Sequence, residues 1–222
     1  MIYVTGDMHG DINRLKSKEI RRLKKDDTLI ICGDFGFVWD GAEKERRLVR
    51  WIGKRRFNVL FVDGANDNME LLGNYPLAEW QGGKVRELGG RLRLAGRGEV
   101  FEIEGKKIFT FGGGDVEDDM AAVTSKESVS FATAEEIECA WQNLQKVGRK
   151  VDYIITHRPS RKIRQFLLMN QNTANILDAF LDAVREKCEY NRWFFGSIHM
   201  NKRIPPNEMA LFTAVVNAAD DL

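Results

Sequence analysis

The chain contains three histidines, His9, His157 and His199, and each stands within a few residues of the end of an apolar, strand-like run. Two aspartates occupy the same kind of place. Asp7 lies in Gly6-Asp7-Met8-His9-Gly10, directly after Ile2-Tyr3-Val4-Thr5, and Asp34 lies in Gly33-Asp34-Phe35-Gly36, directly after Thr28-Leu29-Ile30-Ile31-Cys32. Residues two apart on an extended stretch point to the same side, so a carboxylate oxygen of Asp7 and a ring nitrogen of His9 can meet one ion. Imidazole combined with carboxylate suits manganese, iron or zinc, with little preference among them. No cysteine sits in these turns, so no thiolate competes.

Such side chains can converge only if the runs before them are strands of a common sheet. Three apolar runs, 2–5, 28–32 and 58–62, alternate with two helical patterns, 11–25 and 43–56. That alternation predicts parallel β-α-β units, whose ligands gather at the carboxyl ends of the strands. The third run leads to Asp63-Gly64-Ala65-Asn66-Asp67-Asn68 on the same edge. From 79 to 114 the pattern changes to period-two stretches broken by glycine, which predicts hairpins and a second, antiparallel-rich sheet. Residues 115–134 are acidic and rich in serine and threonine, and read as a long loop over the strand ends. A helix over 135–147 follows. The strand 151–155 ends in Thr156-His157-Arg158-Pro159, and 192–195 ends in Gly196-Ser197-Ile198-His199; a closing strand is expected over 209–216.

Composition narrows the classes of partner. At 222 residues, 43% hydrophobic and 30% charged, the chain is expected to form one domain spanning 1–222. A net charge of +1 gives no global field to recruit nucleic acid or membrane. No apolar run approaches the roughly 20 residues needed to span a bilayer, and the N-terminus does not read as a secretion signal, so a cytoplasmic location is expected. Cys32, Cys139 and Cys188 are odd in number and widely spaced, which argues for reduced, mostly buried thiols.

The order of these motifs resembles that of the calcineurin-like metallophosphoesterases, whose pattern runs Gly-Asp-x-His-Gly, Gly-Asp, Gly-Asn-His-Asp/Glu, Thr-His and Gly-His-x-His. The matching stretches are Gly6-Asp7-Met8-His9-Gly10, Gly33-Asp34, Gly64-Ala65-Asn66-Asp67, Thr156-His157 and Gly196-Ser197-Ile198-His199. The resemblance implies a four-layer α/β/β/α sandwich of two mixed sheets with two metal ions at one edge. By similarity Asp7, His9, Asp34 and His199 hold one metal. The other would share Asp34 and use His157, but Ala65 stands in place of that site's asparagine and Ser197 in place of its histidine. Asn66 occupies the position of a histidine that helps protonate the leaving group; it is the candidate catalytic residue, although an amide cannot serve as a general acid.

The resemblance thus implies a phosphodiester or phosphomonoester hydrolase that uses a metal-bound hydroxide, with manganese the first choice of metal and a weak or empty second site. Arg158 is the expected phosphate-binding residue, because a guanidinium can grip two phosphate oxygens at once. The alternative is a weak or inactive relative that keeps the scaffold and binds a nucleotide, nucleic acid or protein. Whether the substrate is a small molecule or nucleic acid is left open, as is the oligomeric state.

Overall fold

The computed structural model describes residues 1–114, 131–169 and 175–220. Its first part runs β1 (Ile2–Thr5), α1 (Ile12–Leu15), α2 (Lys18–Arg21), β2 (Thr28–Ile31), α3 (Glu43–Gly53), β3 (Asn58–Phe61) and α4 (Met69–Gly73). Five strands follow, β4 (Leu77–Trp80), β5 (Gly83–Gly89), β6 (Leu92–Ala95), β7 (Glu99–Ile103) and β8 (Lys106–Phe111). The remainder is α5 (Ala134–Lys146), β9 (Lys150–Thr156), α6 (Arg161–Leu168), α7 (Ile176–Lys187), β10 (Glu189–Phe195), β11 (Lys202–Ile204), β12 (Glu208–Ala210) and β13 (Val215–Asn217).

These strands form a seven-stranded sheet in the order β13-β1-β2-β3-β6-β5-β4 and a six-stranded sheet in the order β11-β12-β10-β9-β8-β7. The central strands β1, β2 and β3 are parallel, as are β8, β9 and β10. Period two explains the layering. Leu29, Ile31, Val59 and Phe61 belong to a core shared with the first four helices, whereas Ile30, Cys32, Leu60 and Val62 belong to the core between the sheets. On the other side Phe109, Ile154, Trp193 and Phe195 meet α5 and α7, while Ile108, Ile155 and Phe194 face inward. Strands covered on both faces must be apolar at every position, which is why these runs show no polar alternation. The expected four-layer α/β/β/α sandwich of two mixed sheets is therefore what forms.

Several local expectations change. The pattern over 11–25 divides into α1 and α2, because Ser17 interrupts it and caps α2 by accepting from the Ile20 amide. The stretch 79–114 makes no sheet of its own: β4, β5 and β6 extend the first sheet and β7 and β8 join the second. The closing run 209–216 is likewise shared, with β12 beside β10 and β13 beside β1. Cys32 is buried, but Cys139 is exposed. The loop expected over 115–134 lies outside the described residues up to position 130. Among the described residues no helix is long and apolar enough to cross a membrane.

Candidate metal centre

The carboxyl ends of β1 and β2 sit side by side, and their turns are stitched together. The Met8 and His9 amides donate to the Asp34 carbonyl at 3.1 and 2.8 Å, and the Gly10 amide donates to the Phe35 carbonyl at 3.1 Å. Asp7 and Asp34 are thereby fixed on one floor. The turn after β10 adds His199, whose Nε2 lies 3.1 Å from Asp7 Oδ2 and 3.1 Å from His9 Nε2. One ligand atom from each of Asp7, His9, Asp34 and His199 lies within 4.8 Å of all the others. Donors about 2.1 Å from a common ion are about 3 Å apart when adjacent and about 4.2 Å apart when opposite. The group is therefore of a size to hold one divalent cation, and its mixed nitrogen and oxygen donors fit such an ion.

The floor is dry and the rim is wet. The Asp7 and Asp34 side chains are 0% and 4% exposed, whereas those of His9 and His199 are 36% and 40% exposed. Burial alone would push the Asp7 carboxyl up, but His157, His199 and the Ser197 amide hold it well below the usual carboxylate range. An anionic floor with an open imidazole rim admits a solvent-borne ligand from one side.

Backbone strain accompanies this arrangement. His9, Asp34, Ser197 and His199 have φ of 48°, 41°, 55° and 52°, in the left-handed region that costs a non-glycine residue on the order of 1–3 kcal/mol. Two glycines make room for the carboxylates by close approach. A Cβ at Gly64 would lie 2.0 Å from Asp34 Oδ1, and one at Gly196 would lie 2.0 Å from Asp7 Oδ1.

His157 is buried close to the two carboxylates of this group. Its Nδ1 lies 3.0 Å from the Cys32 carbonyl oxygen and 3.5 Å from Asp7 Oδ1, and its Nε2 lies 3.7 Å from Asp34 Oδ1. Burial lowers its pKa, but Asp34 and Asp7 outweigh that and hold it at about 10. The His157 ring thus lies buried between the two carboxylates.

The third turn departs most from the family pattern. Ala65 supplies no donor, and the Asn66 amide groups cap Asp34 instead: the backbone N–H donates to Oδ1 at 2.9 Å and Nδ2 donates to Oδ2 at 3.0 Å. Asn66 thus touches the carboxylate that both metals would share. Ser197 reaches Asp7 only through its backbone N–H, at 3.0 and 3.2 Å. Arg158, the expected phosphate-binding residue, stands just past the end of β9. Its side chain is fully buried, with Nη2 3.2 Å from Asp178 Oδ1 on α7. Its guanidinium is packed against a buried carboxylate.

Three contributors escape sequence reasoning. Asp67 accepts from the amides of Phe35, Gly36 and Gly64 at 3.1, 2.9 and 2.9 Å, tying the third turn to the turn that carries Asp34. Burial, reinforced by the charge of Asp34, pushes its carboxyl up to about 7 against those three amides. Its only sequence signal is its place at the end of Gly-Ala-Asn-Asp. Phe212 packs its ring 5.0 Å from that of His199, and Arg14 sits on Phe212; nothing in their local sequence marks either.

Comparison with known proteins agrees with this geometry. The family model for calcineurin-like phosphoesterases matches residues 1–201 of the 222. Among curated proteins no match is found.

Proposed function

Since the chain belongs to the calcineurin-like phosphoesterase family, we propose that it is a metal-dependent phosphoester hydrolase working chiefly from one cation. The observation that carries this reading is the convergence of Asp7, His9, Asp34 and His199 on one point. When bound there, a divalent cation supplies Lewis acidity toward a phosphoryl oxygen and lowers the pKa of a water.

The chain's own residues set the rest. Asp7 and Asp34 provide the buried negative charge that retains the cation, and the strained turns at His9 and His199 hold two imidazoles at the opening. Asn66 fixes the orientation of Asp34 through two hydrogen bonds. It has no proton to give at neutral pH, so a substrate with a good leaving group, such as an aryl phosphodiester, is favoured over one that needs protonation. Manganese is the expected metal and the cytoplasm the expected location.

A second reading is favoured by one specific feature. Asp34 is capped on both oxygens by Asn66, and the family's two other second-site ligands are replaced by Ala65 and Ser197. A protein altered in this coordinated way could keep a single structural cation and bind a phosphorylated partner without turnover. Hydrolysis of bis(4-nitrophenyl) phosphate with added Mn2+ separates the two. Turnover that is lost in Asp34→Asn supports the hydrolase, and no turnover with Mn2+, Fe2+ or Zn2+ supports the second reading.

A further inference from the structure

We propose that Arg14 is the residue that anchors the anionic phosphoryl group of a ligand beside the cation centre, a role that rests on the phosphoester reading above. Arg14 lies in α1, which begins shortly after His9 and Gly10. Its Nη2 donates to Thr5 Oγ1 at 3.3 Å and to the Phe212 carbonyl oxygen, so one edge of the guanidinium is pinned. The guanidinium carbon stands 5.3 Å from the centre of the Phe212 ring. That same ring lies 5.0 Å from the ring of His199 and 6.3 Å from the ring of His9. The cation of Arg14 is therefore one aromatic ring away from both imidazoles at the open rim.

Three considerations make this position chemically useful. The side chain is half-buried, and burial lowers its pKa while the charges of Asp7 and Asp11 work against that; a guanidinium starts so far above neutral pH that it stays charged. Only Nη2 has a protein acceptor among the described residues, which leaves the N–H groups of Nε and Nη1 for an external oxygen. Finally, an arriving phosphoryl anion brings further negative charge to a floor that already holds Asp7 and Asp34. Relatives with two cations neutralise it with the second. Here the ligands for that second ion are reduced, and a guanidinium pinned one aromatic ring from the rim can supply positive charge with directional hydrogen bonds. The bland role, a strap that ties the 211–214 segment to β1, makes a different forecast.

The test is binding of inorganic phosphate to the full chain by calorimetry, with and without Mn2+, for wild type, Arg14→Gln and Arg14→Lys. The expected result is a loss of about tenfold or more in phosphate affinity in R14Q, partial recovery in R14K, and Mn2+ affinity within twofold of wild type in both. Phosphate affinity unchanged in R14Q, or phosphate and Mn2+ affinity falling together, would overturn the proposal and leave the strap. Hydrolysis of the aryl phosphodiester, followed in parallel, is expected to show a raised KM in R14Q with kcat less affected. Wild-type protein that binds phosphate through Arg14 but hydrolyses nothing sinks the hydrolase reading and keeps the anion site; hydrolysis indifferent to Arg14 does the reverse.

Discussion

His9 and His199 are separated by 190 positions, yet their Nε2 atoms lie 3.1 Å apart. Two ring nitrogens at that distance share at most one proton, and each is also directed toward buried Asp7, at 3.9 and 3.1 Å. A cation would satisfy both nitrogens and the carboxylate together. Both residues also hold positive φ, 48° and 52°, strain of the kind that gathers at functional turns.

Mn2+ is expected to stabilise the folded chain, because an ion bound only by the native state adds RT ln(1 + [L]/Kd), about 2.7 kcal/mol at a hundredfold excess over Kd. Thermal unfolding with Mn2+ and then with excess EDTA checks this. The rise should be reversible, and it should vanish in Asp7→Asn and Asp34→Asn.

Replacing His199 by alanine removes one of the four donors while leaving the buried floor intact. The loss expected in Mn2+ affinity is at least about tenfold, read by titration calorimetry. Circular dichroism should be unchanged, because the side chain is 40% exposed and contributes little to the core.

Restoring the family ligands should restore the second ion. In the triple variant Ala65→Asn, Asn66→His, Ser197→His, the expected Mn2+ content rises from about one to about two per chain, the two-metal arrangement of related hydrolases. Metal analysis after gel filtration measures it. A stoichiometry still at one would mean that the altered turns, and not only their side chains, exclude the second ion.

Arg158→Ala is expected to destabilise the fold by about 3–5 kcal/mol, the range for removing one partner of a buried ion pair, because Asp178 is itself fully buried. Urea unfolding checks it. The value that the loop sequence suggested, a direct effect on substrate affinity, should not appear in any activity the folded fraction retains.

Asp67→Ala leaves the amides of Phe35, Gly36 and Gly64 without their acceptor. Each buried unsatisfied donor costs about 1–3 kcal/mol, so removal of this buried member of the third motif should cost at least about 3 kcal/mol by urea unfolding. Asp67→Asn, which keeps one carbonyl acceptor, should cost less.

Much of this was legible from residue order. The runs before Asp7 and Asp34 are apolar at every position because both faces of a central parallel strand are covered, and that signature needs no structure to interpret. The ends of β9 and β10 carried the same message for His157 and His199. Period two shows that one face of a strand is buried but not which sheet receives it, so β4 to β8 were grouped together although they divide between two sheets. The direction of a long side chain is equally invisible. Arg158 follows His157 directly and is buried against Asp178, whereas Arg14, within the helical pattern 11–25, reaches Phe212 through a contact 198 positions away.

The central claim is that one cation is held among Asp7, His9, Asp34 and His199. Anomalous diffraction from crystals grown with Mn2+, recorded at the manganese edge, tests it most directly. The expected map has one strong peak within coordination distance, about 2.1–2.3 Å, of all four side chains. No peak there, or two peaks of equal height bridged by Asp34, would contradict it.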